Sequence, residues 1–153
     1  MKDYNYKGKE DFTFFDFENK RAGRNTIPEN GFQIYILNSA KSNNYAISMG
    51  KRASTSIIQK GLNKMRIRVD NITGQIHLVF NKSIGKNLYK PTKGSKICRV
   101  GGVDVVKCIV EHFGGAISRQ ETALKYMGDC SNDLSNSDEY ATFELTNLHK
   151  YEE

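Results

Sequence analysis

Residues 64–81 read KMRIRVDNITGQIHLVFN, and this stretch decides the fold. Polar and apolar residues alternate over positions 65–70 and again over 75–80, which is the period-two pattern of half-buried strands. Asn71-Ile-Thr-Gly74 lies between the two alternating segments and supplies turn-forming residues. The stretch therefore predicts an antiparallel hairpin.

The predicted hairpin has two faces of different chemistry, because successive side chains of a strand point to opposite sides. The face directed at the core comprises Ile67, Val69, Ile76, Leu78 and Phe80. The opposite, polar face comprises Arg66, Arg68, Gln75 and His77. Two arginines and a histidine are thereby predicted on one side of a two-stranded ribbon.

Strand patterns recur on both sides of the hairpin. Residues 32–37 (FQIYIL) place alternate large apolar side chains on one face, and residues 140–145 alternate in the same way. The pattern predicts an α+β fold in which a mostly antiparallel sheet of about five strands is packed by two or three helices. The five predicted strands are 32–37, 45–49, 65–70, 75–80 and 97–100.

Three segments have helical signals. Residues 51–60 and 103–113 carry apolar side chains at helical spacing, and a glycine follows each of them. A capping box, Ser-Arg-Gln-Glu, predicts a third helix over residues 118–127. The helix pair over residues 105–128 fits a DNA-reading helix-turn-helix, and a plain helix hairpin covering a sheet has the same pattern.

The length of 153 residues predicts one domain at residues 31–148, preceded by an N-terminal arm at 1–30 and followed by a tail at 149–153. The arm contains DFTFFDF at residues 11–17, an aromatic segment suited to adding a strand to a partner's sheet. Its candidate partner-binding residues are Phe12, Phe14, Phe15 and Phe17.

Several classes of protein are disfavoured by composition. No apolar run approaches the roughly 18 residues of a membrane span, and the first thirty residues lack the apolar core of a signal peptide. The cysteines, Cys98, Cys108 and Cys130, are odd in number and form no CxxC pair, which disfavours a disulfide framework. These features predict a cytoplasmic protein without a cofactor.

The charge of the chain is unevenly distributed. The net charge is +6, yet residues 31–100 hold thirteen lysines and arginines against a single acid, Asp70. Residues 101–153 hold four basic and ten acidic residues. Such a basic segment stores self-repulsion that a polyanion would relieve, with a further gain from counterion release. Alternatively, the basic middle of the chain pairs with its own acidic last third.

The basic hairpin face is the main candidate site. Its residues and the neighbouring lysines and arginines are predicted to contact a phosphate backbone. Tyr35, Tyr45 and Tyr89 are candidate stacking partners. The competing interpretation is a solvated sheet face that carries lysine to block edge pairing. The candidate nucleic-acid-binding residues are Lys51, Arg52, Lys64, Arg66, Arg68, His77 and Lys82.

Evidence for metal binding or catalysis is weak in the sequence. Cys108 and His112 share a helical face, but zinc needs three or four ligands and no second pair stands at ligand spacing. No GxSxG, HExxH or other recognised catalytic motif is present. The sequence predicts neither a metal site nor an enzyme.

Within residues 45–114, a family resemblance is carried by Ile47-Ser48, residues 53–62, residues 66–70, Thr73-Gly74 and residues 76–78. The chain there resembles small uncharacterised phage and bacterial proteins, whose layout is similar to single-stranded-nucleic-acid binders and looped-hairpin regulators. The resemblance implies a non-enzymatic, often dimeric, DNA-associated role.

Two functions follow as predictions. The first is a non-catalytic nucleic-acid-binding protein that contacts the phosphate backbone through a basic sheet face, and the charge pattern suits DNA and RNA, single and double strands alike. The alternative is a structural or interaction protein, such as a phage virion component or an inhibitor of a host protein, that forms oligomers or docks by its aromatic arm.

Overall fold

Antiparallel strands wind into a nearly closed barrel in the computed structural model, which describes residues 27–38, 43–89, 97–117 and 123–151. Within these ranges there are eight strands and two helices. The strands are β1 (Gly31–Asn38), β2 (Asn43–Met49), β3 (Lys64–Val69), β4 (Ile76–Asn81), β5 (Lys86–Asn87), β6 (Arg99–Gly101), β7 (Ala123–Cys130) and β8 (Ala141–Lys150). The helices are α1 (Lys51–Gln59) and α2 (Val103–His112).

The sheet closes on itself, and the predicted five-strand α+β arrangement is therefore wrong. The strand order is β5-β3-β4-β8-β7-β1-β2-β6, with every pair antiparallel. The two outermost strands approach each other, since Leu88 bridges to Val100 and the Tyr89 N–H donates to the Arg99 carbonyl at 2.9 Å. The prediction was an open sheet covered by a layer of helices. The chain instead forms a curved sheet whose inner face is buried within the barrel.

The central hairpin is confirmed in register. β3 pairs with β4 so that Arg68 lies opposite His77. In the turn, the Asp70 carboxylate accepts the N–H groups of Ile72 at 2.9 Å and Thr73 at 3.3 Å, and these bonds lower the pKa of Asp70. Gly74 completes the turn at φ 74°, a left-handed conformation that costs residues with a Cβ.

The two predicted helices at 51–60 and 103–113 are confirmed, and they lie at opposite ends of the barrel. α1 joins the end of β2 to the start of β3, so it covers the end at which β1 and β8 begin. α2 starts beside the first residues of β2, where the Gly102 N–H donates to the Tyr45 carbonyl, and reaches the β3–β4 turn, where His112 Nε2 lies 2.9 Å from the Gly74 oxygen. Each helix turns an apolar stripe into the core shared with the strands.

The predicted third helix is wrong where the structure describes it. Residues 123–130 form β7, which lies between β1 and β8. Gly128 sits opposite Phe32, whose ring approaches so closely that a Cβ on the glycine would be 2.5 Å from it. The helix-turn-helix interpretation fails with this helix, because its second element is a strand inside the barrel wall.

Large side chains fill the interior. Phe32, Phe80 and Phe143 are almost completely buried, and the rings of Phe80 and Phe143 meet edge to face with centroids 5.9 Å apart. Of the hairpin residues predicted for the core, Val69 is 41% exposed, because β5 pairs with β3 only at Lys64 and Met65. Neither helix of the described ranges has the length and apolarity needed to span a membrane.

Candidate nucleic-acid interface

A cleft of about 570 Å³ opens on the outer wall of the barrel, between β3 and the loop at residues 131–140 that joins β7 to β8. We call it the outer cleft. Its lining includes Arg66, Arg68, Val79, Leu134, Tyr140 and Thr142. Basic side chains stand on one side, and a half-exposed tyrosine and leucine stand on the loop side.

The pleat of β3 places the arginines in a row. Lys64, Arg66 and Arg68 are alternate residues of one strand, so their side chains leave the same outer face at intervals of about 6.6 Å. Arg66 and Arg68 are both exposed, whereas Lys64 is half-buried. Three cations in line at this interval can contact successive phosphates of one strand. Such contacts position a protein on nucleic acid but do not read its sequence.

His77 holds Arg68 in place. It retains only 6% exposure, and its Nδ1 lies 3.2 Å from Arg68 Nε and 3.0 Å from Arg68 Nη2. Because a guanidinium can only donate, Nδ1 must be the acceptor, which leaves the ring proton on Nε2 facing Gln75 Oε1 at 3.2 Å. His77 therefore orients Arg68 and is itself shielded from a ligand.

The loop wall of the outer cleft is fastened by Lys60 at the end of α1. Its Nζ donates to Asp133 Oδ2 at 2.6 Å and to the carbonyls of Ser137 at 2.7 Å and Tyr140 at 2.8 Å. The other carboxylate oxygen of Asp133 accepts the N–H groups of Ser135 at 2.9 Å and of Thr142 in β8 at 3.0 Å. We call this group the Lys60 clamp.

The Lys60 clamp also sets the protonation of its carboxylate. Burial opposes ionisation of Asp133, but the hydrogen bonds from Lys60 and from two backbone N–H groups outweigh it and lower the pKa of Asp133. The side chains of Lys60 and Asp133 are 19% and 16% exposed, so the ion pair is shielded from water more than a surface pair is.

The cations of the outer cleft are not neutralised within the described part of the chain. There, ion pairs join Lys60 to Asp133 and Lys86 to Asp104, and neither pair includes an arginine of the cleft. Asp70, two residues after Arg68 at the end of β3, is the nearest acid along the chain, roughly 6.6 Å away by the strand spacing, and its carboxylate accepts the N–H groups of Ile72 and Thr73. Glu144 on β8 lies two strands from Arg68 by register, or roughly 9.5 Å, which is slightly more than one Debye length at physiological salt.

The other lysine and arginine residues predicted to bind nucleic acid fall into two groups by position. Lys82 follows β4 at the α1 end of the barrel, close to Lys64 in the paired strand. Lys51 and Arg52 also lie at that end, but they follow β2, which is four positions from β4 around the ring of eight strands. The structure therefore brings five of the seven residues together around β3 and β4 and leaves Lys51 and Arg52 on the far side.

The start of α1 is filled by the chain itself. The Arg52 N–H donates to the Glu29 carbonyl at 3.1 Å, and a Cβ on Gly50 would lie 2.3 Å from the Pro28 carbonyl oxygen. Backbone carbonyls thus occupy the position at which a phosphate would meet the helix dipole. Only the exposed side chains of Lys51 and Arg52 are offered there.

The predicted stacking tyrosines lie away from the outer cleft. Tyr45 is 9% exposed and its hydroxyl donates to Asn38 Oδ1 at 2.6 Å. The Tyr35 ring faces Lys125 across β1 and β7 at 6.0 Å. Tyr89 is 53% exposed and lies against the guanidinium of Arg99, at the closure of the barrel.

Comparison with known proteins gives no relative. No protein-family model, curated protein or solved structure matches the chain. The resemblance of residues 45–114 therefore remains a prediction. The candidate partner-binding phenylalanines at 12–17 lie outside the described residues, and so the interaction-protein alternative also remains one.

Cysteine and histidine chemistry adds no second site in the described ranges. The three cysteines are free thiols, and burial raises the pKa of Cys130 to about 12. Cys108 is exposed on α2, and the neighbouring His112 is engaged by the Gly74 carbonyl. No cluster of three or more histidine, cysteine or acidic side chains suited to a metal occurs among the described residues.

The sequence reasoning missed the loop wall of the outer cleft. Residues 129–138 (DCSNDLSNSD) are strongly polar, and nothing local marks Leu134 or Tyr140 as part of a site. No sequence signal could have found it, because single apolar side chains on a polar surface are ordinary.

Proposed function

We propose that the protein binds nucleic acid without catalysis and contacts the phosphate backbone through the outer face of β3. One observation carries the proposal: Arg66 and Arg68 stand side by side in a concave surface and pair with no acid in the described ranges. Guanidinium groups bind phosphate oxygens with charge-assisted, two-pronged hydrogen bonds.

The neighbouring residues have graded roles in this proposal. Lys64 and Lys82 extend the positive surface toward the α1 end of the barrel. His77 acts through Arg68 and makes no phosphate contact of its own. Lys51 and Arg52 contribute to the long-range field but lie outside the contact surface. The free thiols agree with a reducing compartment, and the proposed location is the cytoplasm.

A salt titration of binding tests the proposal. Counterion release predicts that the logarithm of the association constant falls linearly with the logarithm of salt, and two lost phosphate contacts reduce that slope by roughly 1.4 for single strands or 1.8 for duplex. We therefore expect the double variant Arg66→Ala/Arg68→Ala to show this reduction in fluorescence anisotropy with a labelled oligonucleotide.

A charge-matched variant supplies the control. Lys51→Ala/Arg52→Ala removes the same two charges from exposed positions on the far side of the barrel. It should keep most of the wild-type slope. The proposal is refuted if the wild-type protein binds no oligonucleotide at low salt, or if both double variants change the slope equally.

A further inference from the structure

The outer cleft combines two kinds of recognition surface. Arg66 and Arg68 line the β3 side and are suited to phosphate. Tyr140 and Leu134 line the loop side, and they are 50% and 54% exposed. A phosphate group gains little from contact with an exposed aromatic ring, whereas a nucleobase stacks on one readily.

The volume of the cleft suits a single nucleotide unit. At about 570 Å³ it falls within the range of about 300–1,000 Å³ that is usual for sites holding a small organic group. In a duplex the bases are stacked inside the helix, so a duplex can present only its backbone to the arginines. An unpaired base can leave the strand and enter.

Charges on the loop fix the orientation of such a ligand. Asp138 and Glu139 directly precede Tyr140 and are exposed, so phosphate is repelled from the tyrosine side. The guanidinium groups attract it to the β3 side. Base on the tyrosine and phosphate on the arginines is the arrangement that satisfies both.

The tyrosine is also held in position. Lys60 Nζ donates to the Tyr140 carbonyl, and Asp133 accepts the Thr142 N–H two residues later. These bonds fix the backbone at Tyr140 and directly after it, so little conformational entropy is lost when a base stacks on its ring.

We propose that the outer cleft binds an unpaired nucleotide of a single strand, with its base against Tyr140 and Leu134 and its phosphate on Arg66 and Arg68. The protein then prefers single-stranded to double-stranded nucleic acid. This inference rests on the proposed function and narrows its ligand.

The test compares one labelled strand, alone and annealed to its complement, by fluorescence anisotropy at a fixed salt concentration. We expect the wild-type protein to bind the single strand about tenfold more tightly than the duplex, in keeping with the stacking of one base. Tyr140→Ala should remove this preference by weakening single-strand binding about tenfold, and it should leave duplex binding unchanged. Tyr140→Phe, which keeps the stacking ring, should bind as the wild type does.

The outcomes separate the two proposals. Equal, salt-dependent affinity for both forms would overturn the inference and leave the proposed function standing, whereas no binding of either form would overturn the proposed function. A loss in Tyr140→Phe as large as in Tyr140→Ala would overturn the stacking role. If a nucleoside monophosphate competed as strongly as the oligonucleotide, the inference would be overturned, because the cleft would then be a site for a free nucleotide and not for a strand. Thermal unfolding of each variant establishes that it is folded.

Discussion

Replacing Lys60 by methionine tests the Lys60 clamp most directly. The substitution keeps most of the aliphatic stem but removes the donor that serves Asp133 and two backbone carbonyls. Breaking a fully buried ion pair costs about 3–5 kcal/mol, and a hydrogen bond to a charged group contributes about 1.5–3 kcal/mol. Because about a fifth of each side chain is exposed, we expect a loss near the lower figures, about 2 kcal/mol.

The loss is measurable by urea denaturation and by thermal melting. For a chain of this size, 2 kcal/mol corresponds to a fall in melting temperature of about 4–8 °C. Lys107→Met, an exposed lysine on α2, is the matched control and should change stability by less than about 0.5 kcal/mol. In a double-mutant cycle with Asp133→Asn, the two changes should cost clearly less together than the sum of their separate effects.

The pH dependence gives the clamp a second signature. The folded protein lowers the pKa of Asp133, so this group stabilises the fold above the ordinary aspartate pKa of 3.8 and loses that contribution as the pH falls through its lower folded value. The stability gap between wild type and Lys60→Met should therefore narrow in acid. A gap no larger than that of Lys107→Met at neutral pH would show that the loop keeps its place without the clamp.

Three further predictions concern the core, the turn and the cleft. Phe143→Ala should cost about 3–5 kcal/mol in denaturant unfolding, because it empties the space beside Phe80, and a cost under 1 kcal/mol would contradict the packing. Gly74→Ala should cost about 1–2 kcal/mol through its left-handed backbone alone, since a Cβ there meets no neighbour, and Gly74→Asn should cost less. His77→Leu should weaken oligonucleotide binding about three- to tenfold by freeing Arg68, and His77→Asn, which restores an acceptor, should bind more tightly than His77→Leu. Equal binding by the two His77 variants would remove the positioning role.

Local pattern was sufficient for the elements whose partners are near in sequence. The alternation over residues 64–81 predicted the β3–β4 hairpin and its outward arginines, because a two-stranded register is set by the turn between the strands. The helices at 51–60 and 103–113 were predicted by apolar spacing and following glycines, and Gly61 and Gly114 do adopt positive φ.

Prediction failed where distant segments decide the structure. Residues 123–127 (ALKYM) are good helix formers, yet they form a strand because β1 and β8 offer pairing on both sides. Barrel closure depends on the contact of Leu88 with Val100, which no local pattern reveals. The alternation of side chains correctly predicted that His77 lies on the outer face. Its burial beside Arg68 arises only when the strands of the barrel wall are assembled, so the local pattern could not predict it.

The brevity of β5 and β6 has a consequence for native-state fluctuations. These strands have two and three residues, whereas β1 and β2 align seven pairs. Parting β5 from β6 breaks few hydrogen bonds and leaves the other strand pairings intact, so this opening has a lower free energy than global unfolding. Amide hydrogen exchange at Tyr89, whose N–H donates to the Arg99 carbonyl across this seam, should then report a subglobal event, in which the cylinder relaxes into a curved sheet while its interior stays assembled.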